Sequence, residues 1–369
     1  MARHIYVHIP FCARKCSYCD FYSIAAPDKI SSFFDSLRKE IENTKPITDV
    51  NPDPIDTVYF GGGTPSVPDA VLTCETLSLI KERFTIKPDA EITIECNPAS
   101  VTKEKFEAYK SAGFNRVSIG IQSLHDNTLK TLGRLHDSSR AIETVIEAKE
   151  AGFTNISCDL MIGIPGQTKE EILEDAKTLV DMGVSHVSMY SLIIEEGTPF
   201  FDRYKNIEDY VDPDLERDMY HSLRDYLRGR GIEPYEISNC GKTSVHNMSY
   251  WKGMEYYAFG PSASGYLNGI RFSHGRSVDG YITDPMKVTE DEILSLDEKA
   301  REYVMLMLRT SCGPDKKEFL DRFGKDIFEE YNKEIDELIA QGLITSDENG
   351  FRLTKKGLDF ANLAFEEFV

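Results

Sequence analysis

Three times in the first part of this chain a helix-like stretch ends in a glycine and passes at once into a strand. The junctions are Ala112-Gly113-Phe114-Asn115-Arg116-Val117-Ser118, Ala151-Gly152-Phe153-Thr154-Asn155-Ile156-Ser157 and Met182-Gly183-Val184-Ser185-His186-Val187-Ser188. Their glycines lie 39 and 31 residues apart, a spacing that suits one strand–helix unit, and each suits the left-handed position just past a helix end. A chain built this way folds as α/β around a parallel sheet. Six strands can be placed, at about residues 5–9, 57–61, 91–96, 116–121, 156–162 and 186–193. Most read as nearly continuous apolar runs, as expected when both faces of a parallel sheet are covered. Between them run apolar stripes at helical spacing: Ile30, Phe33, Phe34, Leu37 and Ile41; Ile142, Val145 and Ile146; Ile172, Ala176, Leu179 and Val180; and Leu215, Met219, Leu223, Tyr226 and Leu227. Six repeats predict an incomplete (β/α)6 TIM-like barrel. A doubly wound open sheet is the alternative that spacing alone leaves standing.

After Arg230 the rhythm changes. Residues 233–237, 256–259 and 264–273 read as strands with glycine turns. From about Leu296 the chain turns mainly helical and closes with helix, hairpin and helix, resembling a winged helix. The expected division is a partial barrel over 1–230, a strand-rich extension over 231–295 and a small helical, winged-helix-like domain over 296–369. The net charge of −20, from 42 basic and 62 acidic residues, argues against nucleic acid as the main partner, since phosphate contacts need clustered Lys and Arg. The start, Met1-Ala2-Arg3-His4, lacks the apolar region of a signal peptide. The apolar run at 303–308 is far short of a membrane span. The expectation is a cytoplasmic protein whose thiols stay reduced.

Three of the eight cysteines fall within eight residues: Cys12, Cys16 and Cys19, spaced C-x3-C-x2-C just after the first strand. Iron–sulfur clusters are held by thiolates, and a full 4Fe-4S set needs four. Three would leave one iron open, as a catalytic metal requires for its substrate. A structural zinc site would want a second cysteine pair, which the sequence lacks. Tyr59-Phe60-Gly61-Gly62-Gly63-Thr64-Pro65 follows the second strand. It lacks the lysine of a phosphate-binding loop. Glu95, Gln122, Arg134 and Asp159 lie at or near the ends of the next three strands, on the face where parallel α/β barrels carry their sites.

The cysteine loop, within Tyr6-x-His8-Ile9-Pro10-Phe11-Cys12, resembles the radical S-adenosylmethionine (SAM) superfamily, and within it the branch that contains oxygen-independent coproporphyrinogen III oxidase (HemN) and the heme chaperones (HemW). The resemblance covers nearly the whole chain. It implies a 4Fe-4S cluster on Cys12, Cys16 and Cys19, with SAM chelating the open iron and cleaved to a 5′-deoxyadenosyl radical. It also implies SAM contacts at Tyr6, Tyr18, Gly62, Gly63, Thr64, Glu95, Gln122, Arg134 and Asp159. Tyr190-Ser191 is a weaker match.

His246-Asn247-Met248-Ser249-Tyr250-Trp251 holds the only tryptophan. A histidine can ligate heme iron, and the H-N-x-x-Y-W pattern resembles the heme-binding motif of the chaperones. His246 is then the implied heme ligand. The partners implied are heme, a hemoprotein that accepts it and a small electron donor, with no transmembrane segment and peripheral membrane contact left open. Two departures separate the chain from the oxidase: Phe21 stands where the oxidase has a further cysteine, and only eleven residues precede Cys12. Coproporphyrinogen oxidation, radical SAM methyl transfer and a zinc-bound structural role remain the rival readings.

Overall fold

The computed structural model describes residues 3–45 and 54–368; Met1 and Ala2 lie outside them. Six strands, β1 (His4–Ile9), β2 (Ile55–Gly62), β3 (Ile86–Cys96), β4 (Arg116–Gln122), β5 (Asn155–Ile162) and β6 (His186–Ser191), lie side by side in chain order and all parallel. Beyond β6 pairs the short antiparallel β7 (Asn239–Gly241). On the other side β1 pairs in parallel with β8 (Tyr256–Phe259), followed by antiparallel β9 (Ser264–Leu267), β10 (Ile270–His274) and β11 (Val288–Ile293). The eleven-stranded order begins at β11 and ends at β7. The sheet therefore stays open, as an incomplete barrel does. Gly113, Gly152 and Gly183 take positive φ of 104°, 90° and 72°, the left-handed turn that their junctions require.

The strands are not continuous apolar runs. They alternate. Ile5, Val7 and Ile9 of β1, Val58 and Phe60 of β2, and Ile92 and Ile94 of β3 join one core packed under the helices. The residues between them are His4, Tyr6 and His8, then Thr57 and Tyr59, then Glu91, Thr93 and Glu95. Successive strand residues point to opposite faces, so these polar side chains line the concave face. One face of the sheet is thus a polar lumen, not a second apolar layer. Full burial of each aliphatic side chain under the helices contributes about 1.5–3 kcal/mol.

Two further expectations need correction, and one strand was not foreseen. Residues 233–237 form no strand, only isolated bridges at Pro234 and Glu236; proline has no N–H to give a ladder. β11 forms in an acidic segment, Val-Thr-Glu-Asp-Glu-Ile, which charge alone did not suggest. It is an edge strand, where charged residues are tolerated. Ile146 and Leu215, read as stripe residues, are exposed. The remaining stripes sit on helices Ile30–Asn43, Ser138–Glu150, Lys169–Asp181 and Pro213–Gly229.

The C-terminal part has its own core, with Tyr303, Phe319, Ile335 and Phe351 at its centre. Helix Asn332–Ala340, the hairpin of Ile344–Ser346 with Phe351–Leu353, and helix Lys355–Asp359 follow in the winged-helix order. Among the described residues no helix is long and apolar enough to cross a membrane.

Candidate functional site

The mouth of the lumen is built at the strand C-termini. The cysteine loop leaves β1 and is held by the glycine loop that leaves β2: Gly63 N donates to Ile9 O at 2.9 Å and Thr64 N to Phe11 O at 2.8 Å. Each glycine has a steric reason. A Cβ on Gly63 would lie 2.9 Å from the backbone of Ile9 and Phe11, and one on Gly62, at φ 106°, would lie 2.6 Å from the His8 ring. The loop therefore clamps the cysteine loop against the barrel. Thr64 Oγ1 lies 3.3 Å from Cys12 Sγ, and Arg134 Nη1 donates to Cys16 Sγ at 3.5 Å. Cys16, Thr64 and Arg134 line one recess with Asn97 and Ser100. Tyr18 sits half-buried against Phe200 and beside Arg134.

The three thiols are unpaired and half-buried. Burial, with Cys16 and Cys12 adding to it, holds the Cys19 thiol above its ordinary pKa. Among the described residues no three His, Cys, Asp or Glu side chains converge closely enough to hold a single metal ion. A four-iron cluster is gripped at separate corners by thiolates. The donor set of three soft thiols, with a buried Arg134 Nε that has no protein partner beside them, fits such a group better than one zinc ion.

Behind the cysteines lie the carboxylates. Glu95 accepts from Tyr59 OH at 2.7 Å and from Gly62 N at 3.2 Å. Gly61 leaves room for it, since a Cβ there would lie 3.1 Å from the Glu95 carboxyl. Burial pushes the Glu95 pKa up to about 7, against the Tyr59 hydrogen bond, while Asp159 raises it further. Asp159 accepts from Ser118 Oγ at 3.3 Å, and burial raises its pKa as well. Gln122 ends β4 with φ 70° where the β4–β5 register breaks. A non-glycine residue held there is strained, and its amide lies near Gly120 and the Arg134 guanidinium. Tyr6 stacks on Tyr59 with centroids 6.3 Å apart and bonds His8 Nδ1 at 3.1 Å. Tyr6, Tyr59, Glu95, Gln122 and Asp159 all keep some exposure, so this level of the lumen is open.

One level down the lumen is sealed. His246 lies here, on the short helix Val245–Trp251 that crosses the strand N-termini. It is 1% exposed. Its Nδ1 pairs with Thr57 Oγ1 at 2.7 Å, its Nε2 with Tyr250 OH at 2.8 Å, and its ring stacks on Tyr59 at 4.9 Å. Burial holds its pKa well below the ordinary histidine value, so the ring is neutral. In this structure neither nitrogen is free to take an iron. The helix is fastened at both ends. Glu91 of β3 accepts from His246 N at 3.1 Å and Val245 N at 3.2 Å, a carboxylate at a helix start. At the other end Arg309 lies over the Trp251 ring at 4.5 Å, and Arg322 donates to Lys252 O at 2.6 Å.

Comparison with known proteins places this geometry. The Radical SAM superfamily model matches residues 6–179 and the HemN C-terminal domain model residues 294–360. The chain is 34% identical to the heme chaperone HemW of Lactococcus lactis, over 99% of this chain and 96% of that protein. It is 32% identical to the heme chaperone HemW of Bacillus subtilis, over 99% and 98%. The chain belongs to the HemW family of radical SAM proteins. The crystal structure of Escherichia coli coproporphyrinogen III oxidase, HemN, superposes with a TM-score of 0.84 at 20% identity, covering 99% of this chain and 89% of that one, a likeness of fold. As in its superfamily, the HemW family's cofactors are a 4Fe-4S cluster and SAM.

The implied site residues divide between the mouth, the open lumen behind it and the floor. Cys12, Cys16, Cys19, Tyr18, Gly62, Gly63, Thr64, Gln122 and Arg134 lie together at the mouth, Tyr6, Glu95 and Asp159 line the open lumen, and His246 alone lies in the floor. Sequence reasoning missed Glu91, Arg116 and Tyr59, which tie the levels together. Their signal is the strand alternation: Glu91 stands between Ala90 and Ile92, Tyr59 between Val58 and Phe60, and Arg116 opens the alternating run Arg116-Val117-Ser118-Ile119.

Proposed function

We propose that this chain is a radical SAM heme chaperone that takes up heme and passes it to a hemoprotein. The observation that supports this reading is the full-length relationship to proteins named heme chaperone HemW, joined to a buried histidine within His246–Trp251. Cys12, Cys16 and Cys19 would hold the cluster. Gly62, Gly63, Thr64, Tyr6, Tyr18, Glu95, Gln122, Arg134 and Asp159 would receive SAM. A bound cluster with SAM supplies one-electron chemistry, fed by a small electron donor.

The chain's own residues set the conditions. Glu95 and Asp159 offer acceptors to a cationic ligand, and Arg134 offers a planar donor beside Cys16. The glycine loop fixes the cysteine backbone before any ligand arrives. His246 would be the heme ligand, but only after it parts from Tyr250, at a net cost of about 1 kcal/mol for the hydrogen bond. Heme uptake therefore asks the helix Val245–Trp251 to swing from the lumen floor.

Anaerobic reconstitution with iron and sulfide, followed by heme titration of wild type and His246→Ala, tests the reading. It predicts stoichiometric heme on the wild type and a change of heme absorption spectrum with weaker binding in the variant. Equal binding with equal spectra would remove His246 as ligand. Carbon dioxide released from coproporphyrinogen under the same conditions would favour the oxidase reading instead.

A further inference from the structure

Gln122 keeps a left-handed φ of 70°, which a residue with a side chain holds only where its surroundings over-determine it. The strand ladder does not do so. From Ile119 to Gln122 β4 advances three residues while β5 advances only from Cys158 to Leu160, a bulge of the kind that re-aims a side chain. The bulged backbone is gripped from outside the sheet instead. Arg134 Nη2 donates to Gly120 O. His136 Nε2 lies 3.1 Å from Ile121 O; a carbonyl only accepts, so this nitrogen carries the proton. That bond fixes the peptide plane before Gln122, about which φ is measured. On the other side Ser123, fully buried, donates from Oγ to Asp175 Oδ2 at 2.8 Å and accepts from His125 N at 3.1 Å. Asp175 belongs to the helix Lys169–Asp181, is 1% exposed, and has its other oxygen 3.3 Å from His125 Nε2. The Gln122 amide that results lies over Gly120, where a Cβ would stand 3.0 Å from Nε2 and 3.4 Å from Arg134 Nη2.

We propose that Asp175 is a positioning residue of the SAM site: through Ser123 it holds the chain just after Gln122, keeps that residue in its left-handed turn, and so aims the Gln122 amide into the mouth. This rests on the reading of Gln122 as a SAM contact. Asp175 touches no ligand itself. With His136 fixing the peptide before Gln122, the residue after it is the remaining freedom, and the buried carboxylate takes that freedom away. Without Asp175 the Ser123 hydroxyl loses its acceptor in a closed setting, which favours rearrangement of the turn. Gln122 would then relax toward ordinary extended backbone, and its amide would leave its place beside Gly120 and Arg134.

The test has two readouts on the full chain. The first is the thermal midpoint of ligand-free protein. Glycine adopts φ near 70° without strain, so Gln122→Gly relieves the turn only while the turn is held. It should therefore change the midpoint more favourably in otherwise wild-type protein than in Asp175→Ala. The second is SAM affinity of the cluster-loaded protein. Gln122→Ala and Asp175→Ala should each weaken SAM about tenfold, the loss of one ligand hydrogen bond, and the double variant should be no weaker than Gln122→Ala alone, since residues that act as one unit are not additive. Asp175→Asn, whose amide oxygen still accepts from Ser123, should recover most of the affinity. An equal effect of Gln122→Gly in both backgrounds overturns the proposal, as do additive losses of SAM affinity. If Asp175→Ala does not fold, Ser123→Ala, which removes only the hydroxyl between them, takes its place in both comparisons. If Gln122→Ala leaves SAM affinity unchanged, the SAM reading of Gln122 fails, and the thermal midpoints still judge the hold of Asp175 on the turn.

Discussion

The mouth of the lumen and its floor are one barrel's two ends, and they are prepared differently. At the mouth the backbone is fixed and the side chains are waiting: glycines lock the cysteine loop, Gln122 is held in a strained turn, and the thiols, Glu95 and Asp159 keep some exposure. In the floor the side chains are satisfied and closed: His246 has a partner on each nitrogen and the helix that carries it is fastened at both ends. A preformed site can bind without rearrangement, whereas a satisfied one must first be opened, and its apparent affinity is reduced by the fraction of molecules that are open. The same chain therefore carries a ready site and a locked one, and Tyr59 touches both: it donates to Glu95 and stacks on His246.

The largest effect expected from this contrast is at the mouth. Cys16→Ser should abolish cluster assembly, read as iron and sulfide content after anaerobic reconstitution, because two thiolates do not retain the cube. The heme titration of that variant should match wild type, since nothing in the floor touches Cys16. Parallel loss of heme binding would break the comparison by making the two ends one unit.

Next comes the fastening of the motif helix. Glu91→Ala removes the acceptor for two backbone N–H groups in a closed setting, which costs about 1–3 kcal/mol per group left unpaired. We expect a lower thermal midpoint together with faster heme uptake in stopped-flow mixing. Slower uptake would mean that the floor must be held shut to receive heme, which is the opposite of a lock. A smaller change, Tyr250→Phe, frees His246 Nε2 while the ring stays. It should lower stability by about 1 kcal/mol and raise the heme association rate without changing the spectrum of the bound heme.

The mouth was more legible in the sequence than the floor, for a physical reason. C-x3-C-x2-C and Gly61-Gly62-Gly63-Thr64-Pro65 are local: their spacing fixes which atoms meet, and β4, β5 and β6 fall where the three glycine-ended junctions put them. The floor is made by register. Thr57 faces Glu91, and Thr93 faces Arg116, which in turn faces Asn155, all by pairing of strands far apart in the chain, and no short motif announces them. The alternation of polar and aliphatic residues in β1 to β5 carried that information. It was read as continuous apolar runs because the parallel-sheet expectation assumes cover on both faces. The edge strand β11 was missed because its acidic residues resemble a loop. Motif reading found His246 and could not find its burial, since the residues that close over it, Tyr59 and Thr57, lie nearly two hundred positions away.

The smallest effect tests what the open lumen costs the fold. Glu95 has a folded pKa near 7, above the ordinary glutamate value of about 4.3. The sign follows from proton binding: the folded state holds this proton more tightly than the unfolded chain does. Its contribution to stability is therefore fully present at low pH and is lost as pH rises from about 4.3 through 7. Glu95→Gln keeps the shape and removes the titration. In ligand-free protein the variant should match wild type near pH 4 and exceed it near pH 8, by about 2 °C in thermal midpoint if the charge costs about 1 kcal/mol in a chain this long. A gain at pH 8 means that the mouth keeps a carboxylate the fold would rather lose, as a ligand site does. No gain at either pH would mean that water already solvates Glu95 fully, and the difference drawn between an open, charged mouth and a sealed, neutralised floor would lose its electrostatic half.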